Sequence, residues 1–232
     1  MRRQLLWVLL LVVQGAFASS PLQILREHYP ALFRLHQNYP GHHQVFENYA
    51  VQQGFAEPVE RLATVIHELI HVDSAAHMGF FIDGVYYEPY VAASHWPRVN
   101  NQQLAQFTNL AGAGAVFHRY VLNTPTNHLG NVIDEINAYA HVLPFVCAHE
   151  PKNAQKQTDN LIGFLFLVEN YLRVLRTVFP DEYRRLTTSR EAKGAFGLVV
   201  SRAWRALQGC RVPPGNYSRT EAAQLIYGAT RL

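Results

Sequence analysis

Cysteine, methionine and charged residues are scarce in this chain of 232 residues. It has two cysteines and two methionines, and only 16% of its residues are charged. The 20 basic and 17 acidic residues leave a formal net charge of +3, which gives no electrostatic reason to expect a nucleic-acid partner. Hydrophobic residues make up 49% of the chain, which is ample for a packed core. A single domain is the expectation at this length.

Long apolar runs are absent except near the N-terminus. Residues 1–3 carry positive charge, residues 5–13 are apolar, and residues 16–18 form a small-x-small cleavage site. This pattern predicts a signal peptide at residues 1–18, with an uncleaved anchor as the alternative. We therefore expect a mature domain at residues 19–232 that is secreted or periplasmic and not stably inserted in a membrane.

The two cysteines, Cys147 and Cys210, are a disulfide candidate in an exported protein. Two separate buried thiols are the alternative. No pattern in the sequence specifies an oligomeric state.

Helical periodicity dominates the mature chain. Two predicted helices begin at Pro21 and near Glu57-Pro58. Further helices are predicted at about 100–122, 129–146, 154–178, 180–189, 191–207 and 218–228. The helix at 129–146 is expected to end near Pro144. Residues 88–99 and 123–127 are predicted as loops. Asp83-Gly84 stands between two aromatic and β-branched runs, which is typical of a β-hairpin. The predicted fold class is mainly α, with one small hairpin at about 79–90.

The chemistry-bearing motif is His67-Glu68-Leu69-Ile70-His71, within the helix that begins near Pro58. Histidines four positions apart lie on one face of a helix, one turn apart, where both imidazoles can bind a single ion. Glu68 lies beside the first histidine and is placed to act as a general base and then a general acid. The alternative is a pair of surface histidines beside a solvated acid.

Glu135 is the first candidate for the missing third ligand. It belongs to a helical segment at residues 131–139, and the small Ala138 one turn later would let this helix approach the motif helix closely. In His67, Glu68, His71 and Glu135 the chain resembles the gluzincins, zinc peptidases in which a glutamate on a later helix completes a His-Glu-x-x-His site. The resemblance covers two short segments between about residues 65 and 140.

The resemblance implies a zincin-like helical domain with the hairpin after the motif helix, and an exported metallopeptidase that acts on a peptide or protein substrate. One Zn²⁺ would be held by the two histidines and Glu135, with water as the fourth ligand. Many gluzincins carry an aspartate four residues after the ligand glutamate, whereas this chain has Tyr139 there. Asp134 or Asp159 could orient a histidine instead.

His77 is the alternative third ligand, because it follows His67 at the metzincin spacing. Metzincins have a glycine where this chain has Ser74, and Met78 is not placed for a Met-turn. In a continuous helix His77 would be rotated about 240° from His71 and would point away from the metal. We therefore favour Glu135.

The group that would stabilise an oxyanion is not singled out by its spacing. The candidates are Tyr86, Tyr87, His95, Tyr139 and His141. The hairpin follows the motif helix, whereas the substrate-binding strand of zincins precedes it. Two other functions therefore stay open, a zinc amidase that acts on cell-wall peptides and a metal-binding or interaction protein without turnover.

Overall fold

The structure, a computed structural model, describes residues 19–87, 98–107, 116, 118–122, 126–217 and 224. The predicted signal peptide and, apart from Gln224, the predicted helix at 218–228 lie outside the described residues. The helices are α1 Pro21–His28, α2 Pro30–Asn38, α3 His43–Gln52, α4 Pro58–His77, α5 Asn101–Phe107, α6 Leu129–His149, α7 Pro151–Val178, α8 Pro180–Thr188 and α9 Arg190–Gly209. The described residues also form a 3₁₀ turn at Pro40–His42 and a π-helical turn at His118–Leu122.

In the described parts of the chain, short strands form two antiparallel pairs: β1 Phe80–Ile82 with β2 Val85–Tyr87, and β3 Arg98–Asn100 with β4 Thr126–His128. The predicted mainly α fold with a small hairpin after the motif helix is confirmed. None of the described helices combines the length and the apolar character that crossing a membrane requires.

Helix α4 begins and ends as its sequence dictates. Pro58 occupies the first turn, where a missing N–H costs nothing because that group has no intrahelical partner. Ile66, Leu69 and Ile70 are fully buried and fix the face that packs on the core. At the C-terminus, Met78 takes a left-handed conformation with φ of 48°, and its N–H and that of the next residue bond to carbonyls of the last turn.

The β1–β2 hairpin has the turn that its sequence predicts. Asp83 and Gly84 have φ values of 52° and 81°, as a tight two-residue hairpin turn requires. The strands pair in the register Phe80 with Tyr87 and Ile82 with Val85. The Asp83 N–H donates to Nε2 of His141 at 3.4 Å, which ties the turn to α6.

The β3–β4 pair corrects the sequence prediction. Residues 98–99 and 126–127 were expected in loops, but Arg98 pairs with His128 and Asn100 with Thr126. Strands of three residues are too short to show an alternating pattern of apolar and polar residues. They pair only if the chain between them folds so that the two strands lie side by side.

Helix α6 also corrects the prediction, because it continues through Pro144 to His149. A proline within a helix removes one backbone hydrogen bond, and it is retained where tertiary packing compensates. The carbonyl of Pro144 accepts a hydrogen bond from the Tyr29 hydroxyl at 3.3 Å. Cys147, one turn later, is bonded to Cys210 at the end of α9, with a Cα–Cα distance of 5.4 Å. The predicted disulfide is therefore formed.

The hydrophobic core is one continuous cluster around α6, which packs against α4, α7 and α9. Its largest fully buried side chains include Phe80, Phe145, Phe164, Tyr171 and Phe196. Because α6 lies at the centre of this packing, a side chain on its α4 face is brought directly beside the histidines of the motif.

Candidate metal centre

The centre lies where α4 and α6 pack together. Helix α4 contributes His67 and His71 on one face, and α6 contributes Asp134 and Glu135. Ala138, one turn after Glu135, is fully buried and small, as the predicted close approach of the two helices requires.

Three ligand atoms converge between these helices. His67 Nε2 lies 3.1 Å from His71 Nε2, and Glu135 Oε2 lies 3.3 Å from the first of these atoms and 3.7 Å from the second. Ligands placed 2.0–2.1 Å from a tetrahedral zinc ion would be separated by about 3.3 Å. The three residues could therefore hold one metal ion.

The hydrogen bonding of Glu135 supports a cation at this point. Its Oε1 accepts a hydrogen bond from the Tyr120 hydroxyl at 2.9 Å, whereas its Oε2 is buried and accepts none. A buried carboxylate oxygen without a hydrogen bond is costly, and a cation between it and the imidazoles of His67 and His71 would remove that cost. Two imidazoles and one carboxylate are also a ligand set that zinc takes in catalytic sites.

Asp134 orients His71. Its Oδ2 lies 2.6 Å from His71 Nδ1, so a neutral His71 donates from Nδ1 and its Nε2 carries the lone pair that faces His67 and Glu135. Burial alone would lower the pKa of His71, but the carboxylates of Asp134 and Glu135 raise that pKa well above its usual value. The carboxylate–histidine pair has the arrangement found behind metal-bound histidines.

The charge of Glu135 is fixed by the same neighbours. Burial would raise the pKa of its carboxyl group, but the neighbouring imidazoles of His67 and His71 lower that pKa well below its usual range. Tyr120, which donates to Oε1, is mostly buried, and burial together with the charge of Glu135 raises the pKa of its hydroxyl. Glu135 is therefore a carboxylate and Tyr120 a neutral donor at ordinary pH.

Tyr139 packs its ring edge-on against His67, with ring centroids 4.5 Å apart. Its hydroxyl accepts a hydrogen bond from Asn160 Nδ2 at 3.1 Å, and burial and the charge of Glu135 raise the pKa of that hydroxyl. Tyr139 is thus a neutral side chain that fixes the orientation of the His67 ring.

A cavity of about 90 Å³ opens onto the centre. Glu68 lines it together with His67, Glu135 and Tyr139, so the predicted general base faces the same space as two of the predicted ligands. The other residues that line the cavity include Tyr49, Gln53, Phe55, Arg119, Lys156 and Asn160.

The alternative ligand His77 lies away from this cavity. It is the last residue of α4, and its Nδ1 lies 3.0 Å from the carbonyl oxygen of Asp73. Asp159, the other aspartate predicted to orient a histidine, instead accepts the backbone N–H groups of Gly215 and Asn216 at 2.9 and 3.1 Å. Of the two aspartates, Asp134 is the one that lies beside a candidate ligand, His71.

His141 is excluded as an oxyanion donor by its surroundings. It is buried, its Nδ1 lies 2.7 Å from the Asn137 carbonyl oxygen, and its Nε2 accepts the Asp83 N–H. It joins the hairpin to α6 and has no ring nitrogen left for a substrate. The side chains of the other candidates Tyr86, Tyr87 and His95 lie outside the described residues, which leaves Tyr139 as the described candidate that lines the cavity.

Sequence reasoning did not identify Tyr120, Tyr49 or Arg119. Tyr120 lies on the π-helical turn and reaches Glu135, while Arg119 Nη2 donates to the Tyr49 hydroxyl at 2.9 Å. Neither pair has a spacing that a motif could reveal, because the partners come from separate elements.

Comparison with known proteins identifies no relative. No protein-family model matches the chain, and neither a curated protein nor a solved structure matches it. The ligand triangle of His67, His71 and Glu135 is therefore the feature that bears on function.

Proposed function

We propose that the chain is a zinc-dependent hydrolase of peptide bonds, with one Zn²⁺ held by His67, His71 and Glu135 and with Glu68 as general base. The observation that carries this proposal is the convergence of two imidazole nitrogens and one unbonded carboxylate oxygen within 3.7 Å of one another. The resemblance to gluzincins in the same four residues agrees with it.

The roles of the side chains follow from their positions. A bound zinc ion activates a water molecule and polarises the carbonyl group of a substrate. Glu68 takes the proton of the attacking water on its carboxylate and returns it to the leaving amine. Asp134 keeps the Nε2 lone pair of His71 directed at the centre, and Tyr120 holds the Glu135 carboxylate in place. Tyr139 is the proposed donor to the oxyanion.

The compartment proposed for this activity is the periplasm or the exterior of the cell. The Cys147–Cys210 disulfide supports it, because disulfides persist in oxidising environments. The signal-peptide pattern at residues 1–18 predicts the same compartment.

A zinc amidase that acts on cell-wall peptides is the second candidate. It is favoured by the segment before the motif helix, which forms helix α3 at His43–Gln52 and not the strand that would bind an extended polypeptide. Both candidates use the same ligands and general base and differ only in the substrate.

The test is metal content and hydrolysis by the purified chain and its Glu68→Gln variant. We expect wild type to bind one zinc ion and to cleave peptides in a chelator-sensitive way, and Glu68→Gln to keep the zinc but lose activity by about 10²-fold or more. Glu27→Gln, an exposed change on α1, is the matched control and should have no effect. Cleavage of casein would indicate the peptidase, and cleavage of peptidoglycan fragments alone would indicate the amidase. Full activity in Glu68→Gln, or no bound metal in wild type, would refute the proposal.

A further inference from the structure

A second cavity, of about 420 Å³, lies between helices α6 and α9. Ala140, Pro144 and Cys147 of α6 form one side of it, and Arg202, Arg205 and Arg211 form the other side. None of the described residues that line it is acidic. We call it the arginine pocket.

The arginine pocket and the metal centre are on opposite faces of α6. Pro144 comes nine residues after Glu135, which at about 100° per residue places it about 180° around the helix. The two cavities share no lining residue. A ligand in the arginine pocket would therefore not occupy the space beside the metal centre.

The positive charge of the arginine pocket is only partly neutralised. Arg202 is mostly buried, with 14% of its side chain exposed, and its guanidinium contacts the carboxylate of Asp83 in the hairpin turn. Arg205 and Arg211 are exposed, and no carboxylate of the described residues forms an ion pair with either. Three guanidinium groups facing one acid leave about two uncompensated positive charges at the cavity.

Arg202 is also short of hydrogen-bond acceptors. Its Nε is buried and has no hydrogen-bond partner. Burial, and then the charge of Arg205, lower the pKa of the Arg202 guanidinium to about 10. A buried guanidinium N–H without a partner is a group that an added oxyanion would satisfy.

We propose that the arginine pocket binds a ligand that carries a phosphate group, with Arg202, Arg205 and Arg211 as its cationic contacts. Guanidinium groups donate paired, planar hydrogen bonds that match the oxygens of phosphate, and the uncompensated charge of the pocket matches a dianion. The volume of about 420 Å³ exceeds that of a single phosphate and leaves room for an attached organic group. The ligand is a phosphate ester, free in solution or as a lipid headgroup.

The test compares the oxidised wild-type chain with an Arg205→Gln/Arg211→Gln double variant. Both side chains are exposed, so the variant should fold, and its thermal unfolding in chloride checks this. Arg26→Gln/Arg173→Gln removes two exposed charges away from the pocket and is the matched control. Binding of inorganic phosphate and of glycerol phosphate is measured by calorimetry against chloride at equal ionic strength. Binding to phosphatidylcholine vesicles with and without phosphatidylglycerol is measured by sedimentation.

We expect saturable binding in wild type and in the control variant, and a loss of affinity of about tenfold or more in the pocket variant. Binding of the soluble phosphates would identify a free ligand, and binding only to phosphatidylglycerol vesicles would identify a headgroup. The proposal is overturned if wild type binds neither better than chloride or pure phosphatidylcholine, or if both double variants lose binding equally. Zinc content and hydrolysis are not part of this measurement, so its outcome is independent of the proposed hydrolase.

Discussion

Oδ2 of Asp134 lies 2.6 Å from Nδ1 of His71, so that Nε2 is the nitrogen of this histidine that faces the candidate metal centre. When His71 is neutral and Nδ1 is the donor, the lone pair of Nε2 is directed at His67 Nε2 and Glu135 Oε2. The adjacent residues Asp134 and Glu135 thus have different roles at one site. Asp134 orients His71, and Glu135 supplies a possible ligand atom itself.

Replacing Asp134 by asparagine should weaken zinc binding by about 10- to 100-fold. The amide is neutral and would no longer hold the Nδ1–H of His71 as strongly, although its shape is nearly the same. The measurement is competition for zinc with a chromogenic chelator. Asp159→Asn is the control, because Asp159 bonds to the backbone of Gly215 and Asn216 and should leave zinc affinity unchanged. Equal affinities in all three proteins would contradict the role given to Asp134.

Glu135→Ala should remove most of the bound zinc, whereas His77→Ala should remove little. Glu135 supplies the third atom of the ligand triangle, and the Nδ1 of His77 lies against the Asp73 carbonyl at the end of α4. Elemental analysis of the purified variants measures the difference. The reverse result would assign the third ligand to His77 and would place the site on the metzincin side.

The stability of the fold should decrease as the pH falls from about 6.5 to about 4, in part because of His141. Burial lowers the pKa of His141 to about 4 from 6.5, so in this range the unfolded chain binds a proton that the folded chain does not. Protonation of Nε2 would also break the hydrogen bond from Asp83, because two N–H donors would then face each other. At full effect the contribution is about 3 kcal/mol.

His141→Gln should reduce this pH dependence while lowering stability at pH 7. Urea unfolding at several pH values, for wild type and variant, separates the two effects. If the free energy of unfolding of His141→Gln depended on pH between 4 and 6.5 as strongly as that of wild type, His141 would not titrate in the way its burial implies.

Removal of the Cys147–Cys210 disulfide should lower the free energy of unfolding by about 4 kcal/mol in the chain-entropy model. The bridge closes a loop with a sequence separation of 63 residues and joins the end of α6 to the end of α9. Urea unfolding of the oxidised protein and of a Cys147→Ala/Cys210→Ala variant measures the effect. Reduced wild type is the control for the substitutions and should match the variant. Equal stability of oxidised wild type, reduced wild type and the variant would mean that packing alone constrains the loop as strongly as the disulfide does.

Local sequence patterns predicted much of the secondary structure. The stripe of Ile66, Leu69 and Ile70 and the proline at position 58 predicted α4, and Asp83-Gly84 predicted the hairpin turn. These features depend on periodicity and backbone preference within a few residues, which a sequence shows directly. The same locality explains why β3 and β4 were not predicted, since each is three residues long and is stabilised by a partner far away in the chain.

By itself, the sequence determined that His67 and His71 share one helical face with Glu68 beside them, because helical geometry alone places residues four apart on that face. Only the tertiary structure decided that Glu135 completes the triangle, that Tyr120 holds its other oxygen, and that three arginines face one cavity. These arrangements depend on how separate helices pack, and packing is set by the whole core rather than by any short segment.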